Sequence, residues 1–235
     1  MTNSQRTQPG GLRNITLFVD LPDEEVARIQ QGCAWRRYEP GQAIVDYLDP
    51  SDDVFFVASG EVRVTMYSLA GKEVSFRDLG PGEVFGEYPA IDRGARSASV
   101  EAHTECLLAS MPAAAFRELL SAQPVVAQAL LRKLVANIRT LTMRVYEFST
   151  LAVNNRIQAE LLRLATSARG QNNSALISPA PTHSEIASRV STHREAVTRE
   201  LNRLTRIGLI ERSKNAIVVK DLDRLRETVE NASGE

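Results

Sequence analysis

The apolar pattern of this 235-residue chain changes period near residue 112, and the change separates two kinds of structure. Between about 34 and 110, short β-rich runs alternate with turn signals: "EPGQAIV", "VFFVASGEVRVTMYSLAGKEVSFRDLGPGEVFGE" and "SASVEAHTECLLASM", punctuated by Gly60, Gly71, Gly80, Gly82 and Gly86. Val62, Val64 and Met66 alternate with Arg63 and Thr65, the two-residue period of a half-buried strand. Many short strands at this spacing predict a sandwich or jelly roll. After residue 112 the period becomes helical. Residues 112–120 read as a short helix, and Pro124 opens a longer one running to about 151.

That long helix carries Leu130, Leu134, Ile138, Leu141, Val145 and Phe148 at steps of 4, 4, 3, 4 and 3, a heptad-like stripe. Leu131 and Val135 form a second, shorter row. A helix with two apolar rows is expected to pack one against its own chain and one against a second copy. The expected dimer seam is the Leu130 row, with Leu131 and Val135 facing the chain's own sheet. A further helix is expected over about 154–168, and residues 168–181 read as a loop. At the N-terminus, residues 1–14 are expected to be a flexible arm. Residues 20–31 read as a helix capped by Asp20, with Pro22 in its first turn.

Net charge is −1, which excludes a globally basic nucleic-acid binder, but residues 182–220 hold eight Lys/Arg against four Asp/Glu. This basic segment, "THSEIASRVSTHREAVTRELNRLTRIGLIERSKNAIVV", contains two helix starts. Thr182 with Glu185, and Thr192 with Glu195, both match the capping box. One or two residues are expected between the helices. Ile186 and Val190 can then pack on Val197, Leu201 and Leu204, the anatomy of a helix-turn-helix. Arg194, Glu195, Thr198 and Arg199, beside His193, share the face near the second helix's N-terminus. These residue types read base edges in the major groove, although a solvated face, or for Glu195 a capping role, has the same composition. "LIERSKNAIVV" reads as a wing whose Arg212 and Lys214 would touch phosphate.

"PGEVFGEYPAIDRGARSASVEA" is the most specific stretch. Gly86 and the Ala98 amide allow close backbone approach, Arg96 can clamp a phosphate with two donors, Ser97 adds a hydroxyl, and Glu87 can accept from ribose hydroxyls. An Arg–Glu ion pair in a turn is the bland alternative.

Together, the Glu87–Arg96 cassette, the long helix and the winged helix-turn-helix resemble the cyclic AMP receptor and fumarate–nitrate regulator superfamily of transcription factors, over roughly residues 15–220. The resemblance implies an α+β chain: an N-terminal cyclic-nucleotide-binding β-roll (15–120), a dimerisation helix (121–152) and a C-terminal winged helix-turn-helix domain (153–235). It implies that Gly86, Arg96, Ser97 and Ala98 hold a cyclic phosphate and Glu87 the ribose. Val64, Phe76 and Arg77 would lie near the base. Leu141 and Thr142 occupy positions where the catabolite-activator branch has Thr-Ser, and Thr142 would reach the base from its own or the partner subunit. Arg194, Glu195 and Arg199 fall on base-reading positions and Thr182 on a phosphate-contacting one, so a palindromic TGTGA-like duplex is the expected target. RNA polymerase is an implied partner.

Arg77 replaces a small polar residue of that pattern. An arginine can donate to guanine, so cyclic GMP is expected to bind alongside cyclic AMP. Pro89 lies inside the cassette's helical turn, and Ser191 stands where the family usually has Gly. A positive φ there would cost about 1 kcal/mol.

Other classes are less compatible. No nucleophile–base pair, metal spacing or Walker-type loop points to an enzyme. Cys33 and Cys106 read as reduced structural thiols and are too few for a four-Cys iron–sulfur cluster. His103, His183 and His193 lack zinc spacing, and the cassette pair argues against haem-binding relatives, so no metal, haem or cluster is expected. The polar N-terminus and the lack of a long apolar run predict a cytoplasmic protein without membrane contact. A regulator that responds to another small acid, or binds DNA constitutively, is the alternative.

Overall fold

The computed structural model describes residues 11–67, 73–168 and 173–233. They divide into two compact units, with the division between Ala136 and Asn137.

In the first unit a 3-10 turn (Leu12–Asn14) precedes α1 (Asp23–Gln31) and a run of strands: β1 (Ala34–Tyr38), β2 (Ala43–Val45), β3 (Val54–Ser59), β4 (Val62–Tyr67), β5 (Glu73–Leu79) and β6 (Val84–Phe85). Then come α2 (Glu87–Asp92), β7 (Ser99–Ala102), β8 (Cys106–Met111), α3 (Ala113–Ala122) and α4 (Pro124–Thr150), whose residues from Asn137 onward belong to the second unit. Two antiparallel sheets form among the described residues, in the orders β1-β8-β3-β6 and β2-β7-β4-β5. This is the expected roll.

β3 shows why the roll is stable. Phe55 and Val57 point between the sheets, where they join Val62, Leu79, Val100 and Leu108. Val54 and Phe56 point the other way, into a helical layer with Leu12, Phe18, Ile29, Phe116 and Leu130. Both faces of the strand are covered, so it reads as a continuous apolar run. Gly60 closes the turn to β4 at φ 80°, where a Cβ would lie 2.1 Å from the Glu105 carbonyl.

Three expectations are corrected in this unit. A flexible arm over 1–14 does not fit Leu12, which is fully buried in the helical-layer core; residues 1–10 lie outside the described residues. α1 is preceded by Pro22 rather than capped by Asp20, and no side chain caps it. The two apolar rows of α4 exchange roles at their N-terminal end. Leu130 is only 4% exposed and Leu134 packs against the same core, whereas Leu131 is 61% exposed and Val135 48%. The exposed row thus begins at Leu131 and Val135 and continues through Ile138, Leu141, Val145 and Phe148. Spacing does not separate the two rows, since one runs at steps of 4, 4, 3, 4 and 3 and the other at 4, 3, 3, 4 and 3; packing against the helical layer decides that Leu130 is inside and Leu131 outside.

In the second unit, α5 (Val153–Ser167), β9 (Ala175–Ile177), α6 (His183–Arg189), α7 (Arg194–Arg206), β10 (Ile210–Arg212), β11 (Ile217–Val219) and α8 (Leu222–Ser233) surround one core. Ile186, Val197, Leu201 and Leu204 are at its centre. β10 and β11 form the expected wing, and β9 pairs with β11 within the stretch read as a loop. Three residues are too few to display a strand period, and pairing with β11 decides their conformation.

The expected helix-turn-helix is present, with a longer turn than predicted. Four residues, Val190 to His193, separate α6 from α7. Thr182 and Glu185 form both bonds of the capping box. Thr192 and Glu195 do not: His193 precedes α7 without a capping bond, and Thr192 is buried in the turn. Ser191 has φ 48°, the left-handed conformation its position suggested.

Candidate functional site

The cassette is built around Gly86. β6 delivers the chain to this residue, whose φ of 79° starts α2. A Cβ here would lie 2.6 Å from Nη1 of Arg96 and 2.8 Å from the Asp53 carbonyl, so both backbone and space require glycine. Pro89 is the third residue of α2, where its missing N–H has no helical partner to lose.

Arg96 is 3% exposed. Its Nε donates to Ser51 Oγ (3.2 Å), Nη1 to the Gly86 carbonyl (3.2 Å) and Nη2 to the Asp53 carbonyl (2.9 Å). The guanidinium stands over the Phe55 ring at 5.7 Å, and Phe55 stacks on Phe85. Burial lowers its pKa from the ordinary arginine value, and the nearby charges of Asp49 and Asp53 oppose that shift. The hydrogen-bond partners are neutral oxygens, which orient the cation without cancelling its charge.

Glu87 is also buried, but it pairs with Lys133 of α4 at 3.8 Å rather than with Arg96. The bland Arg–Glu pair is therefore not formed. Lys133 also donates to the Val84 carbonyl. Burial pulls its pKa down, while Glu87 pulls it back up. Sequence reading missed Lys133, although a lone lysine in the apolar run "LLRKLVANI" was a readable signal. Ser97 is exposed and Ala98 half-buried.

The pairing of β4 with β5 sets Val64 opposite Arg77. Arg77 is ion-paired with Glu83, whose other oxygen accepts from the Gly80 amide at 3.0 Å. This partner was not foreseen. Phe76 lies on β5, with its side chain outside the described residues. Leu141 and Thr142 are exposed on α4, and the Thr142 hydroxyl donates to the Ile138 carbonyl at 3.0 Å.

In the second unit, α7 buries Val197, Leu201 and Leu204 and exposes Arg194, Glu195 and Arg199 beside His193. Thr198 is half-buried: its hydroxyl donates to the Arg194 carbonyl and lies 2.8 Å from His183 Nδ1. Burial, then the charges of Arg212 and Arg194, hold the His183 pKa below 6.5. In the wing, Arg212 donates to Asn202 of α7, while Lys214 is exposed in the turn. Thr182 is exposed at the start of α6. Sequence reading missed His183, and it also missed Glu200, a buried carboxylate held by Arg203.

No helix among the described residues is long and apolar enough to cross a membrane. Comparison with known families matches residues 35–123 to the cyclic nucleotide-binding domain and residues 155–228 to the Crp-like helix-turn-helix domain. The chain is 30% identical over 216 residues to the cyclic AMP receptor protein of Thermus thermophilus, covering 92% of this chain and 97% of that protein. It is 29% identical to the CRP-like cAMP-activated global transcriptional regulator of Mycobacterium tuberculosis, covering 89% of this chain and 94% of that one. The solved Thermus thermophilus catabolite activator protein superposes with a TM-score of 0.54 at 30% identity, covering 92% of this chain and 99% of that chain. The cassette lies within the first matched domain and the α6–α7 pair within the second, and the chain belongs to the cyclic AMP receptor/fumarate–nitrate regulator superfamily of transcription factors.

Proposed function

We propose that this transcription regulator works as a homodimer that binds cyclic AMP, and also cyclic GMP, in its roll and in response binds a palindromic TGTGA-like duplex. The observation that carries the effector reading is Arg96. Its buried guanidinium is held by three neutral oxygens and keeps its positive charge for an anion. Gly86 makes room for that guanidinium, and the Ser97 and Ala98 amides add donors to a cyclic phosphate. Glu87, nine residues before Arg96, supplies an acceptor for ribose. The relatives named for cyclic AMP support the nucleotide class.

The dimer reading rests on the exposed row from Leu131 to Phe148. Its heptad-like steps of 4, 3, 3, 4 and 3 keep the row on one helix face, which suits a second copy of the same helix better than an unrelated surface. Two-fold pairing would present two copies of α7 about 34 Å apart, one duplex turn, matching a palindrome. Nucleotide binding would shift the dimer between two packings. Linkage then requires DNA to tighten nucleotide binding by the factor that nucleotide tightens DNA binding. Cyclic GMP recognition depends on Arg77 exchanging part of its contact with Glu83 for guanine.

Calorimetric titration of the full chain with each nucleotide tests the effector. Both are expected to bind the wild type, with cyclic GMP within a hundredfold of cyclic AMP. Arg96→Gln is expected to weaken both by tenfold or more, about 1.4 kcal/mol. Undiminished binding by that variant would remove the assignment.

A further inference from the structure

Glu160 lies on α5 and is 1% exposed. A carboxylate taken out of water must be compensated by hydrogen bonds or opposite charge. Among the described residues, guanidinium groups from three helices converge on it. Arg163, one turn along α5, donates to Oε2. Arg189 of α6 donates to Oε1 at 3.4 Å. Arg144 of α4 places Nη2 3.9 Å from Oε2. The other arm of Arg163 holds both oxygens of Glu147, again on α4, at 2.8 and 2.9 Å.

The same short stretch of α5 also reaches α7. Gln158 is buried, and its Nε2 donates to Glu200 Oε1 at 2.6 Å. α5 thus holds α4 and α6 through one buried carboxylate and α7 through a buried amide. Apolar packing tolerates small slips between helices. A carboxylate shared by three guanidiniums does not, because each slip strands a buried charge.

We propose that Glu160 is a positioning residue that seats α6, and through it α7, on the C-terminal half of α4. A rotation of α4 would then move the helix-turn-helix with it instead of sliding past. The regulatory use of this joint rests on the proposed effector response; the joint itself does not.

Replacing Glu160 would remove the acceptor shared by three guanidiniums at once, so the test cuts the arms instead. Full-length Arg144→Met, Arg189→Met, the double variant and Arg189→Lys are compared with the wild type. In amide exchange, Arg144→Met is expected to speed exchange across residues 183–189 at least fivefold, although the substitution is on α4. Unchanged rates there overturn the proposal whatever the DNA result. In fluorescence anisotropy, each single Met variant is expected to bind a TGTGA-type palindrome at least tenfold more weakly, and a scrambled duplex within threefold of wild type. The double variant is expected to be no more than threefold worse than the weaker single, since both arms end on one carboxylate. Arg189→Lys, which keeps the charge, is expected to stay within threefold of wild type. Multiplicative losses in the double variant, or equal losses on both duplexes, overturn the proposal. A wild type that ignores cyclic nucleotides would sink the effector reading alone, because the exchange comparison needs no ligand.

Discussion

The absent side chain of Gly86 and the guanidinium of Arg96 occupy one space: a Cβ on the glycine would lie 2.6 Å from Nη1 of the arginine, which donates to the glycine's own carbonyl. The two residues stand ten apart in sequence, on opposite sides of α2. The turn and the cation therefore form a single unit, and neither can change without the other.

Gly86→Ala is accordingly expected to fail twice. The left-handed backbone costs about 1–2 kcal/mol for a residue with a Cβ. The clash must also push Arg96 from its three acceptors. Thermal denaturation should show the loss of stability, and nucleotide titration should show binding weakened beyond what that loss explains. A variant with wild-type nucleotide affinity would mean that Arg96 does not need this seat.

The exchange of rows on α4 separates core from seam. Leu130→Ala is expected to destabilise the chain by about 2–5 kcal/mol, as for a buried leucine, with the oligomeric state retained. Ile138→Glu, on the exposed row, is expected to leave the fold intact and to shift the protein from dimer to monomer in sedimentation. A monodisperse dimer for Ile138→Glu would place the seam elsewhere.

At the DNA face, Arg194→Ala is expected to cost about 1–3 kcal/mol at one guanine and to relax specificity there. Binding to a panel of single-substitution duplexes reads this directly. An equal loss on every duplex would make Arg194 a phosphate contact.

His183 is expected to give the helix-turn-helix a pH-dependent stability. Its folded pKa lies below the ordinary 6.5, so the folded state resists protonation more than the unfolded chain does. Its contribution is therefore complete above pH 6.5 and declines as pH falls through the lower folded value. Urea midpoints for wild type and His183→Gln should diverge between pH 7.5 and 5.5, with the wild type losing more. The other titrating groups are common to both proteins and cancel in the difference. A larger loss in the variant would reverse the sign and contradict a His183 held low by burial and by Arg212 and Arg194.

Much of this architecture was legible because it is local. The strand alternation of residues 62–66, the Thr182–Glu185 box, the apolar face of α7 and the Gly86–Glu87–Arg96 spacing are all short-range patterns. Most of what escaped notice depends on how the chain packs. β9 is a strand because β11 pairs with it. Thr192 resembles a cap, but the turn buries it before α7 begins. Leu130 and Leu131 are neighbours of equal hydrophobicity, and the packed helical layer, not composition, decides which one is inside. Lys133 stands out in an apolar run, but its partner Glu87, like the Glu83 partner of Arg77, is set by the fold. α8 was readable from Leu222, Leu225 and Val229 at helical steps, and went unread.

The most direct test of the central claim is a fluorescence-anisotropy titration of a TGTGA-type palindrome with the full chain, at one fixed salt concentration, without nucleotide, with cyclic AMP and with cyclic GMP. Weak binding by the bare protein and at least a tenfold gain with cyclic AMP is the predicted result. Tight binding that neither nucleotide changes would contradict the account and leave a constitutive DNA binder.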